Sequence, residues 1–489
     1  MIVLFNPWSS PSPKRPLPMS LLAIGSTIEG EFDYRIVDGN AEADPVGSIL
    51  AIHAKTPITA IAVTVMLGPQ LRAAVLGCRQ LRRMLPQVPI VWGGYFPSQH
   101  ADACLSESTV DICVVGQGER TFLELMRAIR DGADLSGIAG LVYRHGGRVH
   151  KTPTRALTAL DELPDWPYHR LNMERYIHAH YLGRRVAAHH SSFGCPHACT
   201  FCAIVGIVNR KWVAQSPERV GAVLEMFHSK HRADAIQFHD MDFFISESRT
   251  EAIAGRLERL GMTWWALGRV DELMRYREST WQAMSRSGLK MVFCGAESGS
   301  TEMLARMNKG GTASADMTIE LAARMKHHGV VPEFSFVVGN PPDPEADLAQ
   351  TLSFIRRIKQ VNEATEVILY VYSPVPMEGT FYDAARKEGF AFPETLEGWI
   401  SEKWQQFALR RDPTTPWSHG EVRRQVRDFE SVLNAYYPTV TDQRMTPARR
   451  TLLRAASAWR YHTKAYARPF ELNLLQRAFR YQRPETTGF

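Results

Sequence analysis

The hydrophobic positions along this chain fall into two successive series of short apolar runs separated by helical segments. In the first series, strand-like runs occur at Ile2–Phe5, Ala60–Val65, Ile90–Trp92 and Ile112–Val115. Between them Pro69–Leu85 carries Leu71, Val75, Cys78, Leu81 and Leu85 on one helical face, and Thr121–Ile129 repeats that spacing. Strands that alternate with helices predict a doubly wound parallel sheet, because each crossover helix must cover a sheet face. A hairpin follows, Leu141–Arg144 with Arg148–Lys151, turning at Gly146-Gly147. Leu163-Pro164-Asp165-Trp166-Pro167 then breaks the pattern as a linker.

The second series places strands at Val186–Ser191, Ala235–His239, Trp264–Gly268, Met291–Gly295, Glu333–Val338 and Val367–Tyr372. The first five are followed by helical segments, as at Pro217–Phe227, where Ser216 can cap and Pro217 takes the first turn. Six β/α units are too few for a closed eight-unit barrel and predict a partial one. Beyond Gly389 the chain becomes helical, aromatic and basic. The expected division is a doubly wound α/β domain over 1–145, a linker over 146–185, a (β/α)6 barrel over 186–388 and a helical C-terminal region over 389–489.

Composition adds a setting. The chain has 489 residues, 45% of them hydrophobic and 22% charged, and no apolar run near the roughly 20 residues that span a bilayer. Seven cysteines in this length disfavour a disulfide framework and point to a reducing, cytoplasmic compartment. The net charge of +6 is concentrated late, where Arg444, Arg449, Arg450, Arg454, Arg460, Lys464, Arg468, Arg477, Arg480 and Arg483 face only Asp442, Glu471 and Glu485. Such a tail fits either a solvated helical face or an anionic partner, a membrane surface included. Trp404, Trp417, Tyr436, Tyr437, Trp459, Tyr461 and Tyr466 lie among these cations, as inward-packing cap residues or as contacts to a lipid. No nucleic-acid module is recognisable.

The candidate chemistry centres on Cys195-Pro-His-Ala-Cys199-Thr-Phe-Cys202, directly after the first strand of the second series. Three thiolates in one tight loop can hold three irons of a cubane and leave the fourth open; a zinc site would need a fourth ligand such as His197. Cys78, Cys104, Cys113 and Cys294 are isolated on apolar faces and read as core thiols. Strand ends supply further polar groups: Asp240 and Asp242, Arg269 and Asp271, Glu297 within Gly295-Ala-Glu-Ser-Gly-Ser300, and Val338-Gly339. His239 and Cys294 lie near the same rim and read as core residues.

The triplet, with Phe201 before its last cysteine, and the GxESGS string resemble the radical S-adenosylmethionine (SAM) superfamily. That resemblance implies a [4Fe-4S] cluster on Cys195, Cys199 and Cys202, with SAM on the open iron. It implies SAM contacts at Phe201, Asp240, Arg269, Glu297, Ser298, Val338 and Gly339. In the first series, glycines at successive strand ends let a large ligand approach the backbone, which alone also fits a nucleotide or flavin. Trp92-Gly-Gly-Tyr-Phe-Pro-Ser98 with Val114-Val-Gly-Gln-Gly-Glu119 is similar to cobalamin-binding domains of radical SAM enzymes. The implied cobalamin contacts are Asp38, Asn40, Thr64, Met66, Gly93, Gly94, Gly116, Gly118 and Glu119. Asn40 stands where related domains carry the cobalt-ligating histidine, so no protein histidine is expected on cobalt.

The family reading implies a methyltransferase acting on an unactivated carbon of a small-molecule or lipid substrate, with a flavodoxin- or ferredoxin-type electron donor. Alternatives are a ring-forming or rearranging enzyme of the same layout and a non-catalytic cobalamin sensor.

Overall fold

The computed structural model describes residues 1–12, 14–309, 313–377, 380–409, 420–442 and 444–479. Its N-terminal sheet contains β1 (Ile2–Asn6), β2 (Tyr34–Asp38), β3 (Ala60–Thr64), β4 (Ile90–Gly93), β5 (Ile112–Val114), β6 (Leu141–His145) and β7 (Arg148–Lys151), in the spatial order β2-β1-β3-β4-β5-β6-β7. β1 to β5 are parallel, and the hairpin β6–β7 is added antiparallel at one edge. The second hairpin strand therefore stays in this sheet, which extends to Lys151 rather than stopping at the expected residue 145. β1 and β3 are buried along their whole length, which is why they read as continuous apolar runs. The sheet's parallel order reverses beside β1, where neighbouring crossovers leave on opposite faces and a crevice opens at the strand ends.

The second sheet has β8 (His178–His180) and β9 (Gly183–His189). β10 (Ser192–Gly194) and β11 (Trp212–Ala214) form a separate small ribbon around the cysteine loop. The main sheet continues with β12 (Ala235–Phe238), β13 (Thr263–Arg269), β14 (Leu289–Glu297), β15 (Val331–Val338) and β16 (Glu366–Val371). The order β16-β15-β14-β13-β12-β9-β8 gives a partial barrel of six parallel strands with β8 antiparallel at its edge. Helix starts are capped as their sequences require: the Ser216 side chain accepts from the Arg219 amide with Pro217 in the first turn, and Ser246 accepts from Arg249. Cys78, Cys104, Cys113 and Cys294 are all buried, as core thiols should be.

The C-terminal region is not one unit over the barrel. Ala385, Phe390, Leu396, Trp399, Ile400, Trp404 and Phe407 join the core beneath the N-terminal sheet, where Trp399 meets Phe96 edge-on at 5.2 Å. The helix Glu421–Tyr436 packs instead on the barrel, with Val422, Val426, Phe429 and Leu433 in its core. Tyr436 stacks on Tyr461 at 4.3 Å, Tyr466 meets Phe429 and Tyr437 meets Tyr461, so these aromatics pack inward. Trp417, Arg480, Arg483 and Glu485 lie outside the described residues. Among the described residues no helix is long and apolar enough to cross a membrane.

Candidate active site

The cysteine loop sits at the C-terminal rim of the barrel, where parallel strands deliver polar side chains. Gly194 precedes Cys195 at φ +91°, and any side chain there would strike the Lys211 carbonyl, so only glycine makes this turn. The loop is fastened to the segment after the GxESGS string: the Thr200 amide donates to the Met307 carbonyl at 3.0 Å and Asn308 Nδ2 to the Ala198 carbonyl at 3.0 Å. On its other side, Gln99 Nε2 of the N-terminal region donates to the Ala203 carbonyl at 2.7 Å. Burial pushes the Cys195 thiol up to about 12 and raises Cys202. Protein alone therefore leaves these thiols protonated, and they need a cation to become thiolates.

Positive charge is supplied beside them. Arg269 Nη1 lies 3.2 Å from Cys199 Sγ, while its other nitrogens hold Asp271 at 3.0 and 3.1 Å and the Lys309 carbonyl at 2.8 Å. Lys309 Nζ pairs with Glu297 Oε1 at 2.7 Å and lies 5.9 Å from the Phe201 ring centre. Burial works against the Lys309 charge, but Glu297 and Cys199 together hold the ammonium above its usual range. Glu297 itself has φ +64° at a register shift between β14 and β15. A side chain at Gly295 would collide with that carboxylate and come within 2.7 Å of Lys309 Nζ, which explains the glycine two residues before the glutamate. Cys199, Phe201, Arg269 and Glu297 thus share one network.

The other proposed SAM residues stand apart. Asp240 accepts from the Ser191 amide at 2.5 Å, Ser191 Oγ at 2.6 Å and Ser192 Oγ at 2.8 Å, fastening the chain that leads into the loop. Ser298 is fully buried and its hydroxyl accepts from the Ser300 amide at 3.1 Å. Val338 is buried, and Gly339, at φ +76°, comes so close to Val422 of the C-terminal helix that an added Cβ would sit 3.0 Å from it.

A third set escaped sequence reading. His197 Nε2 lies 2.7 Å from Glu272 Oε1 and 3.9 Å from Asp242 Oδ2. Burial, followed by the neighbouring Glu272 carboxylate, raises the Asp242 carboxyl well above the carboxylate range. Asp242 Oδ2 and Glu272 Oε2 are buried and make no ordinary hydrogen bond. Cys195, His197 and Asp242 place ligand atoms within 4.8 Å of one another. His197 is the fourth ligand a zinc reading would require, and its Nε2 is the atom that faces Glu272. Proximity in space, with no sequence spacing to betray it, makes this group.

Between the two sheets lies a cavity of about 600 Å³. Its N-terminal wall includes Thr64, Met66, Gly93, Gly94, Gly116, Gly118 and Glu119, and its barrel wall includes His190, Ser192 and Met241. A Cβ at Gly93 would meet only Val114, and one at Gly116 only the Ile207 carbonyl, at 3.8 and 3.9 Å, so both glycines leave open room on the cavity side. Asp38 and Asn40 are not on this wall. Asp38 accepts from Asn6 Nδ2 at 2.8 Å and from the Tyr176 hydroxyl at 2.7 Å, and Asn40 Oδ1 accepts from the Ser9 amide at 2.9 Å. They tie the β1 loop and the linker to β2. His190 Nε2 is buried without a partner at the barrel wall, and no histidine lines the N-terminal wall. His239 lies against Trp265 at 5.4 Å, and burial pushes it down to about 4, so it is neutral.

Residues 14–126 match the family model described as the B12 binding domain, and residues 190–355 match that of the radical SAM superfamily. This chain is a B12-binding radical SAM enzyme. Cobalamin, SAM and a [4Fe-4S] cluster are its cofactors. The enzyme is 28% identical to an uncharacterized methyltransferase of Pyrococcus horikoshii over 70% of this chain and 73% of that protein. It is 24% identical to the anaerobic magnesium-protoporphyrin IX monomethyl ester cyclase of Synechocystis over 56% of this chain, and spans 54% of that protein. Its fold is shared with the cobalamin-dependent SAM radical enzyme OxsB at a TM-score of 0.69 and 15% identity, covering 98% of this chain and 75% of that one.

Proposed function

We propose that this radical SAM enzyme methylates an unactivated carbon of a small-molecule or lipid substrate. The observation that carries the reading is the single cavity whose walls come from both cofactor-binding regions, glycine-lined strand ends on one side and His190, Ser192 and Met241 of the barrel on the other. When bound, the cluster with SAM supplies a 5′-deoxyadenosyl radical and cobalamin supplies a transferable methyl group.

The chain's own residues position these groups. Cys195, Cys199 and Cys202 hold the cluster, Arg269 and Lys309 offset thiolate charge, and Phe201 and Glu297 border the SAM site. Asp240, Ser298, Val338 and Gly339 shape the rim behind them. Thr64, Met66, Gly93, Gly94, Gly116, Gly118 and Glu119 receive cobalamin, with Asp38 and Asn40 bracing that wall from outside. The apolar lining, with Leu17, Ile24, Val114, Phe122 and Ile207, excludes water from the methyl-transfer chamber. A flavodoxin or ferredoxin is the expected electron donor.

A second reading is ring formation without net methylation, favoured by the likeness to the magnesium-protoporphyrin cyclase. Anaerobic reconstitution with hydroxocobalamin, SAM and a strong reductant separates the two. Formation of both 5′-deoxyadenosine and S-adenosylhomocysteine supports methylation. Deoxyadenosine alone, repeated with the true substrate, supports the ring-forming reading. An iron–sulfur spectrum without retained cobalamin would overturn both.

A further inference from the structure

The helices Pro447–Thr463 and Phe470–Phe479 lie against each other at the far end of the chain. Their inner faces are fixed. Leu453 packs with Met445, Leu475 and Phe479, Tyr461 and Leu472 enter the barrel core, and Arg460 clamps the intervening turn. That clamp runs from Arg460 Nη1 to the Ala465 and Ala467 carbonyls at 2.9 and 3.0 Å and from Nη2 to Glu471 at 3.1 Å.

The outer faces are apolar as well. Ala448, Leu452, Ala455 and Trp459 recur at helical spacing on the first helix, and Phe470, Leu474 and Ala478 on the second, all exposed. Leu452, Trp459, Phe470 and Leu474 are 51, 54, 68 and 64% exposed and cluster on this one helix pair, whereas the other exposed large apolar residues, such as Trp8, Leu76 and Val149, are scattered along the chain. Half of the described cations of the basic tail are engaged internally: Arg444 by Asp442, Arg454 by Glu363, Arg460 by Glu471, and Arg450 by the Pro438 and Thr439 carbonyls. Arg449, Lys464, Arg468 and Arg477 remain exposed, and none forms an ion pair among the described residues. The carboxylates of this segment, Asp442 and Glu471, are both already paired.

We propose that this helix pair docks the enzyme on an anionic lipid surface, with Leu452, Trp459, Phe470 and Leu474 entering the headgroup boundary and Arg449, Lys464, Arg468 and Arg477 meeting lipid phosphates. The charge pattern selects this occupant. In a twofold dimer the same patch faces itself, which would set cations against cations with no free carboxylate between them. A nucleic acid would satisfy the cations and leave the aliphatic side chains unmatched. An interfacial helix pair needs both features together. The inference stands independently of the methylation reading, because it uses no residue of the cavity or the cysteine loop.

The test is flotation of the full-length holoenzyme with phosphatidylcholine vesicles, alone or containing about a third phosphatidylglycerol. The enzyme is expected to float with the anionic vesicles, to remain behind with the neutral ones, and to be released as salt rises from about 0.1 to about 0.5 M. Each surface cation contributes about fivefold to partitioning, so K464E/R468E/R477E should lower binding by about a hundredfold or more. L452S/W459S/F470S/L474S should also abolish flotation, while bound cobalamin, cluster iron and circular dichroism stay unchanged. An enzyme that stays soluble with anionic vesicles, or that floats equally with neutral ones, overturns the proposal. So does a concentration-dependent dimer that the serine variant dissociates.

Discussion

The two cofactor regions of this enzyme solve their binding problems with opposite materials. The N-terminal wall is built from what is missing: glycines at the ends of β4 and β5 and small groups beside them leave backbone open to a broad ligand. The barrel rim is built from charge, with Arg269 paired to Asp271, Lys309 paired to Glu297, and Arg269 3.2 Å from the Cys199 sulfur. A large, largely neutral ring needs room and dryness. Thiolates in a buried loop need compensating charge fixed in place, because an unpaired ion there is far more costly than an unfilled void. The first kind of site should be sensitive to added volume and the second to deleted charge.

Removing a cluster thiol is the harshest test of this contrast. Cys195→Ala, Cys199→Ala or Cys202→Ala should abolish cluster iron and 5′-deoxyadenosine formation while the cobalamin spectrum of the same preparation is retained. Loss of both cofactors would show that the two walls are one folding unit. Next in size, Lys309→Met strands the Glu297 carboxylate and should cost about 3 kcal/mol or more, read as a fall in Tm together with lost SAM cleavage. An unchanged Tm would mean that the pair is not the structural brace the geometry indicates. Gly93→Val adds volume where nothing but Val114 stands near, and should cut bound cobalamin at least about tenfold with cluster iron unaffected.

Smaller effects sharpen the edges of the comparison. Asp38→Ala should cost about 1–3 kcal/mol through the orphaned Asn6 and Tyr176 groups, measured by denaturant unfolding, yet leave cobalamin stoichiometry unchanged. A matching loss of cobalamin would restore Asp38 to the binding wall. Glu333 is held protonated up to about 8 by burial, with Trp265 Nε1 3.2 Å away. Its folded-state value lies above the unfolded 4.5, so its contribution is fully present below pH 4.5 and is lost as pH rises through about 8. Glu333→Gln should match the parent at pH 4.5 and exceed its Tm by about 2–4 °C above pH 8. A parallel pair of pH profiles would remove Glu333 as the source.

The strands, the cysteine loop and the glycine-bearing edges were legible because each is a local pattern: a continuous apolar run, a fixed spacing, or a residue type that one backbone angle demands. Gly194 and Gly295 show why such signals are reliable, since neighbouring atoms forbid a side chain at either position. What local patterns could not convey was assignment of charge. Asp240 has the right place at a strand end, but its oxygens are spent on Ser191 and Ser192. Lys309 and the His197–Glu272–Asp242 group come together only through the fold. The C-terminal aromatics were legible as aromatic and no further, because Trp404 turns to one core, Tyr461 to another and Trp459 to the surface.

The return of residues 385–407 to the N-terminal sheet has a consequence for how the enzyme is made. Trp399 closes against Phe96, and Arg79 reaches Glu397 across 318 positions of sequence. A ribosome that has released the first sheet and the whole barrel has still not supplied the residues that finish the first core. Until they arrive, an apolar face under Trp92 and Phe96 stays open to water and to chaperones, so the earliest domain to emerge is sealed only after every strand of the barrel has been made.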